Sequence, residues 1–556
     1  MIQFSHNKKG EKRAMSYDEL LEKYNESIKE NKNLKVEIDN LKIENNNLKR
    51  IVFGSKSEKL PRTEEQDEEQ CSLFDDPKEI EKDLEEQIDN NIEEITVHKK
   101  KKSKTKKAGI KRAALKDVII EKEEIKINEE TKCPVCNGEL KNVGKKVVRQ
   151  EIEFEPPKFK VKEYIKFVYK CEDCGEKEGT GDTNTFVEAK VPKPLLAHSF
   201  ASPSLATEVM YQKYYLGVPL YRQEKMWDDK GLVLPRNMMA NWVIKISEYY
   251  LNHIYELIEK QIKKENELLH CDETTIQCNK EEGRKATSNS YMWVLCSGEL
   301  ENKRGIIFQY NKSRSAETAQ AFLKGYKGIL VTDGYASYNN IEGITHAECW
   351  AHARRYFYES IPLDSNKNMD TSCDGYTGVE YIDKLFETEK KIANLSVEEK
   401  KEERNKKTKP ILEEFYKWVN STLAEKVILN DKLKKALIYV QNQKKELSEF
   451  INDGRIPLTN SLAERAIRPF AVHRKNWLFA DSVEGAKANG VMYTIIESAK
   501  MSKLNIWKYI EYLLKELPQI ENINDEKTLE KYLPWSEELP AEILNFQGTY
   551  EELKIE

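Results

Sequence analysis

The longest regular spacing of hydrophobic positions lies near the start of the chain. Residues 16 to 56 contain no proline, and no glycine before Gly54. Leu20, Leu34, Leu41 and Leu48 recur on one heptad position, with Ser27 interrupting, while Tyr24, Asn31, Ile38, Asn45 and Val52 fall on the other. Leucine at d with a mixed a position predicts a coiled coil over 15–56. Asparagine at a suits a parallel two-stranded form, because it costs stability but fixes register and strand number. A homo-oligomer, a dimer through this segment, is therefore expected. The competing reading, a helix packed on its own chain, is less favoured because the pattern persists over several heptads.

Further along, the period changes twice. Short β-like runs, Val147 to Phe154 and Phe159 to Tyr169, mark out 114–187. Helical spacing returns over 188–262. There GVPLYRQEKMWDDKGLVLPRNMMANWVIKI reads as a helix, a break near Gly231 and Pro235, and a second amphipathic helix. That is the size of a helix-turn-helix, a candidate DNA-binding region, although such pairs also occur in many helical domains. Over 263–510 strand and helix signals alternate. Leu268 to Ile276, Tyr291 to Cys296 and Gly305 to Tyr310 predict three strands, Ala316 to Tyr326 a helix, and Gly328 to Thr332 a strand buried on both faces. Three strands, a helix and a strand fit a ribonuclease-H-like unit, in which the first and fourth strands are neighbours. Lys- and Glu-rich helices over about 361–452 read as an insertion in that unit, and 511–556 as a C-terminal tail. The expected fold class is multidomain, α/β plus α: a ribonuclease-H-like catalytic domain with a helical insertion, preceded by a coiled coil, a zinc-ribbon-like module and the helix-turn-helix-like region.

Charge adds the segment that the periodicity leaves blank. The net charge of −5 argues against a uniformly basic nucleic-acid binder, so any DNA contact must come from local patches. Residues 57–113 read as a linker. Within it, 61–95 carry 15 acidic residues against three basic ones, and 98–112 carry nine Lys or Arg and no acid. The basic block, Lys99 to Arg112, is expected to act as a non-specific DNA arm rather than a merely solvated spacer. No stretch approaches 18 apolar residues and the start lacks an apolar signal core, so no membrane contact is expected. The expected location is the cytoplasm.

Ten cysteines are too few for a disulfide scaffold in a chain of 556 residues. Four of them form two C-x-x-C pairs, Cys133–Cys136 and Cys171–Cys174, separated by 34 residues. Each pair lets two thiolates reach one ion from a tight turn, and two such knuckles complete a closed tetrahedral site. One structural Zn²⁺ is expected there, although the spacer exceeds the usual zinc-ribbon length.

Three acids have the spacing and setting for metal-dependent phosphodiester chemistry. Asp272 lies in LLHCDETTIQC on the first strand, Asp333 in GILVTDGYASY at the end of a buried strand, and Glu464 in TNSLAERAIRPF on a short helix expected to stop before Pro469. Two Mg²⁺ (or Mn²⁺) ions held by such hard oxygen ligands can activate an attacking oxygen and stabilise a leaving one. Each acid has a plainer reading. Asp333-Gly334 could be a turn, and Ser461-x-x-Glu464 a capping box. Glu348 and Glu484 are the next candidates for the third acid.

CDETTIQC, VTDGYASYNN, HAECWAHARRYF and NSLAERAIRPFAVHRKNWLFADSVEGAKANGVMYTIIESAK together resemble the insertion-sequence-66 family of DDE transposases, as do FGSKSEKL after the coiled coil and YLPW near the C-terminus. The resemblance implies that Asp272, Asp333 and Glu464 are the catalytic D, D and E. It also implies that the chain binds the ends of its element and target DNA, and that element-encoded accessory proteins assist. Cys349-x-x-His352 is similar to a signature of several DDE groups. With His346 it is a candidate second metal cluster, but the favoured reading puts His352 simply close to the active site. Arg354, Arg355, Arg465, Arg468, Arg474 and Lys475 are candidate phosphate contacts, with surface salt bridging as the alternative. Two rival functions stay open: a ribonuclease-H-type nuclease without strand transfer, and a non-catalytic zinc and coiled-coil DNA-binding regulator.

Overall fold

A computed structural model describes residues 159–170 and 186–544, apart from Asn340, 364–368 and 426–428, together with a set of residues between Leu21 and Leu41. Those between Leu21 and Leu41 are helical, and Tyr24, Leu34, Ile38 and Leu41 of the heptad pattern are exposed. The other heptad leucines and asparagines, the acidic and basic blocks, Val147–Phe154 and the four cysteines of the two C-x-x-C pairs lie outside the described residues.

The chain divides into two compact units, one containing Lys100–Lys193 and the other Pro194–Asn545. In the first, β1 (Val168–Lys170) pairs antiparallel with β2 (Phe186–Glu188). The strand expected over Phe159 to Tyr169 is therefore confined to its last residues. Val161, Ile165 and Phe167 are exposed, so the β-forming side chains before Val168 bury no face that would stabilise a strand.

The second unit opens with helices. Ser202 caps α1 (Pro203–Tyr214), its Oγ accepting from Leu205 N at 3.2 Å, and proline fills the first helical position. α2 (Leu220–Asp229) and α3 (Arg236–Ile246) flank a turn in which Gly231 adopts φ 81°, a conformation open to glycine. These are the two helices and the break that the sequence predicts. α3 buries Met239, Trp242, Val243 and Ile246, and exposes Arg236, Asn237, Asn241 and Lys245. α4 (Asn252–Glu265) leads into the sheet.

That sheet is mixed. β3 (Leu268–Lys280), β4 (Asn289–Ser297) and β5 (Ile306–Asn311) run antiparallel in turn. After α5 (Ala316–Phe322), β6 (Ile329–Thr332) returns to lie parallel to β3, and β7 (Thr345–Glu348) lies parallel to β6. The order among described residues is β5-β4-β3-β6-β7, with the late strand β8 (Phe479–Ser482) parallel to the far end of β3. The first and fourth strands are thus neighbours. α5 ends earlier than expected, at Phe322, and Gly325 at φ 87° turns the chain toward β6.

α6 (Trp350–Glu359) follows β7 and joins the insertion, made of α7 (Asp374–Ile392), α8 (Val397–Glu403), α9 (Lys409–Glu425), α10 (Asp431–Asn442) and α11 (Lys444–Ser448). The insertion has a core of its own, reached from the sheet through Leu268, Val331 and Ala347. Arg404 anchors it. This side chain is 2% exposed, forks onto Glu389 at 2.8 and 2.7 Å, and donates to the carbonyls of Phe450, Asp453 and Ile456. All five guanidinium donors are used, which offsets the cost of burying the charge.

α12 (Ser461–Trp477) corrects an expectation, since it runs through Pro469 instead of stopping before it. Proline removes one backbone donor. The helix survives because it buries Ala463, Ala466, Ile467 and Phe470, the last packed on Phe308, Trp477 and Tyr493. α13 (Val483–Met501) is buried along most of its length and covers the sheet edge. Its Ser498 and Thr494 hydroxyls accept from Ile306 and Phe308 of β5 at 3.0 and 2.8 Å, closing an edge that would otherwise carry free amides. The described part of the expected C-terminal tail, residues 511–544, is instead part of this core. α14 (Ile506–Glu516) crosses its boundary, and Leu529, Tyr532, Leu533 and Ile543 are buried, because amphipathic spacing continues past 510.

Candidate active site

Asp272 sits in the middle of β3, opposite Val294 of β4. The β3–β6 register pairs His270 with Val331, so two residues further on Asp272 stands beside Asp333, just past the end of β6. Both are half-buried. Burial, then the negative charges of Glu273, Asp333 and Glu464, pushes the Asp272 carboxyl well above its usual range, against one backbone hydrogen bond from Glu273 N at 2.8 Å. Burial also raises Asp333, opposed by the Tyr335 amide at 3.2 Å and by the Arg314 charge. That amide bond makes Asp333 the head of a local turn as well, so the turn reading and the site reading coexist. Glu273 points to the other face of the strand, where it pairs with Arg314 at 2.5 Å and accepts from Tyr338.

Glu464 reaches this cluster from the first turn of α12. The capping-box reading does not hold. The helix cap is Asn460, Ser461 is already helical, and no cap side chain bonds the first amides. The Asn460 side chain is engaged elsewhere. It is 1% exposed, donates from Nδ2 to Cys271 O at 2.8 Å, and shares a 2.9 Å hydrogen bond between Oδ1 and His270 Nδ1. Its backbone N–H donates to Cys349 Sγ at 3.2 Å. One asparagine thus joins the strand of Asp272, the start of α6 and the helix of Glu464. Sequence reasoning quoted the segment that contains it but gave it no role, because nothing local marks a long-range amide.

The insertion also closes on the site. Tyr439 of α10 lies against Gly334, where a Cβ would collide with its ring, and its hydroxyl donates to Glu348 Oε2 at 3.3 Å. A glycine after Asp333 is needed for that approach. Glu348, at the tip of β7, is 3% exposed, and burial, with the nearby Glu446 and Asp333 charges, pushes it up to about 8. Of the two reserve acids it is the one near the cluster. Glu484 acts instead on Cys278, far along β3.

The other predicted residues divide. His352, half-buried, comes close to Glu464 and Cys349. His346 does not join them, since its Nε2 bonds Thr332 Oγ1 at 2.8 Å and its ring lies on Tyr338. Arg354 is in a bidentate ion pair with Asp383 of the insertion, at 2.6 and 3.1 Å, which favours the salt-bridge reading there. Arg355 is half-buried near His352. Arg465 makes a loose 3.6 Å pair with Glu299, and Arg468 and Lys475 are exposed. Arg474 donates to Thr274 and Thr275 at 3.1 and 3.2 Å, and Thr274 lies two residues beyond Asp272 on the same strand face.

A family model described as "Transposase IS66 family" matches residues 198–488, which include all three acids and more than half of the chain. The chain belongs to the IS66 transposase family. Membership implies an enzyme that cuts nucleic acid, and DNA binding with it. The model for the "zinc-finger binding domain of transposase IS66" matches residues 130–175 of this transposase chain, a zinc-binding domain spanning both C-x-x-C pairs. A third, "Transposase C of IS166 homeodomain", matches residues 40–118, across the end of the heptads and the span read as a linker. Among relatives, "Uncharacterized protein y4hP" of Sinorhizobium fredii is 28% identical over 435 residues, 75% of each chain. "Uncharacterized protein y4jD" of the same organism is 26% identical over 435 residues, 76% of this chain and 80% of that one. A solved structure described as "Drosophila P element transposase strand transfer complex" is similar at TM-score 0.21 and 11% identity, over 60% of this chain and 86% of that chain, too slight a likeness to bear on the site.

The donor set fits a divalent cation. Three carboxylates from three distant segments share one half-buried region, where burial first, and then the charges of Glu273, Asp333 and Glu464, lift Asp272. Hard oxygen ligands of this kind suit Mg²⁺ or Mn²⁺, which would offset those charges. No helix among the described residues is long and apolar enough to cross a membrane.

Proposed function

We propose that this transposase binds the ends of its own mobile element, hydrolyses one strand to free a 3′ hydroxyl, and directs that hydroxyl at target DNA. The observation that carries the reading is the convergence on Asp272 of the charges of Asp333 and Glu464, residues up to 192 positions away in sequence. The strand order β5-β4-β3-β6-β7 supports a ribonuclease-H-like catalytic core around them.

Asp272, Asp333 and Glu464 would hold two divalent ions, Mg²⁺ or Mn²⁺. When bound, such ions supply activation of the attacking oxygen and neutralisation of charge on the leaving one. The chain's own residues position the DNA. Arg474, steadied by Thr274 and Thr275, presents its charge along the face that carries Asp272, where a phosphate would pass. Arg468, exposed one turn beyond Glu464, adds a second contact. Arg236, Asn237, Asn241 and Lys245 on the exposed side of α3 form a polar face suited to a groove of DNA. Cys133, Cys136, Cys171 and Cys174 would hold one structural Zn²⁺. The exposed heptad residues of 21–41 would pair two protomers across two ends, in the cytoplasm, with accessory proteins of the element assisting.

The test is Glu464→Gln, with Asp333→Asn beside it, in a Mg²⁺-dependent assay on the element's terminal repeats. Glutamine removes the charge and keeps the shape, so the variant should fold and bind DNA ends while cleavage falls by orders of magnitude. Near-normal cleavage would put the third acid elsewhere, with Glu348 the nearest replacement. Joining of a pre-cut end to a plasmid separates a transposase from a simple nuclease. Absence of metal-dependent cleavage by the native chain would leave the regulator reading, whereas cleavage that survives Asp333→Asn would fail the carboxylate reading.

A further inference from the structure

A second donor cluster adjoins the three acids, and it differs from them in kind. Cys349, His352 and Glu464 each offer one ligand atom, and these atoms lie within 4.8 Å of one another. The C-x-x-H spacing accounts for two of them. Cys349 caps α6 and His352 is its third residue, so thiol and imidazole meet at the helix start. α12 brings Glu464 to the same place.

Burial pushes the Cys349 thiol up to about 12, and two features of its setting, together with the charge of a bound ion, act against that. Cys349 Sγ accepts the Asn460 N–H at 3.2 Å and stands at the N-terminus of α6, a helix of ten residues. The imidazole has spare capacity, since the buried His352 Nδ1 has no hydrogen-bond partner among the described residues. Sulfur and imidazole nitrogen favour a softer ion than carboxylate oxygen does. Three protein ligands of this type leave a fourth tetrahedral position for water.

We propose that Cys349, His352 and Glu464 form a second metal site, for a thiophilic divalent ion of the Zn²⁺ class, which shares Glu464 with the carboxylate cluster. Sharing makes the two occupancies compete. A Glu464 carboxylate drawn toward thiolate and imidazole is lost to Asp272 and Asp333, so Zn²⁺ at this site inhibits Mg²⁺-dependent cleavage. The inhibition rests on the function proposed above, whereas the binding does not.

The probe is Co²⁺, loaded in place of Zn²⁺ into the full-length chain and into Cys349→Ser and His352→Gln chains, each checked for folding by circular dichroism. The native chain should hold about two Co²⁺ per protomer, one in the zinc-binding domain, and each variant about one fewer. The thiolate-to-cobalt absorption should weaken in Cys349→Ser. If the serine variant does not fold, His352→Gln, close in size and polarity, decides the count. Equal cobalt content in the native and folded variant chains overturns the site. In a second measurement, Zn²⁺ is titrated into Mg²⁺-dependent cleavage, and His352→Gln should need about tenfold more Zn²⁺ for the same inhibition. Unchanged inhibition overturns the sharing of Glu464. Asp333→Asn separates the two claims: loss of cleavage with cobalt content intact supports both, while retained cleavage would fail the carboxylate reading and leave the cobalt count to decide the metal site.

Discussion

Asn460→Ala tests whether one buried amide holds the third acid in place. The side chain makes two hydrogen bonds, to Cys271 O at 2.8 Å and His270 Nδ1 at 2.9 Å, at a position that is 1% exposed. Alanine removes both bonds where water has little access. Orphaning a buried polar group costs about 1–3 kcal/mol, so the pair amounts to about 2–6 kcal/mol, a large share of a typical domain's stability. The backbone bond from residue 460 to Cys349 Sγ and the Arg474 bonds to Thr274 and Thr275 remain, so α12 should stay docked but lose the tie of its N-terminus to β3. Glu464 is one turn further on. A displacement of about 1 Å in such a constellation costs on the order of a hundredfold in rate. We expect urea unfolding of the metal-free chain to shift by several kcal/mol, cleavage to fall about a hundredfold, and the Mg²⁺ requirement to rise. The last readout would not move if Asn460 were merely structural. A stability change below about 0.5 kcal/mol, with a normal Mg²⁺ requirement, would refute the reasoning.

Cys133→Ser should lower the zinc content by about one ion and unfold the 114–187 module, leaving the catalytic region folded, as metal analysis and limited proteolysis can show. Deleting residues 1–56 should lower the mass seen by light scattering, since Tyr24, Leu34, Ile38 and Leu41 are exposed in the single chain, and an unchanged mass would put the contact elsewhere. Glu348, raised from 4.5 to about 8, keeps its proton in the folded chain after the unfolded chain has released it. Its contribution to stability is therefore full below about pH 4.5 and lost as pH rises through about 8. His270, His346 and His352, lowered by burial from 6.5 to about 4, act in the opposite sense, lending stability that is lost as pH falls below 6.5. The difference between native and Glu348→Gln chains isolates the carboxyl, and a difference that does not vary with pH between 4.5 and 8 would contradict its burial as an acid.

Much of the candidate site was named before the fold was known. Asp272 and Asp333 stand in short segments whose own pattern, a polar residue in or just after an apolar strand, sets them apart, while Glu464, on a helix, was singled out by the family resemblance. The alternation from Leu268 to Thr332 was enough to predict three strands, a helix and a returning strand, because period and turn residues are local properties. The helix pair around Gly231 was equally legible, since glycine and proline punctuate the chain whatever surrounds them.

What sequence reasoning missed depends on partners far away in the chain. Local rules ended α12 at Pro469 and made Ser461 a cap. Burial of Phe470 against Phe308 and Tyr493 outweighs the lost backbone bond, and the packing sets the helix start at Asn460. Arg354 had the sequence of a phosphate ligand, and Asp383, brought near by the insertion, makes it a salt bridge. Gly334 read as a turn residue, yet Tyr439 is what demands it. The sequence by itself determined the kinds of element and the chemistry of the acids, because these follow from side-chain type and local period. Only the tertiary structure decided which groups share a site, because that depends on which distant surfaces bury one another, as Asn460 does with Cys271 and Cys349.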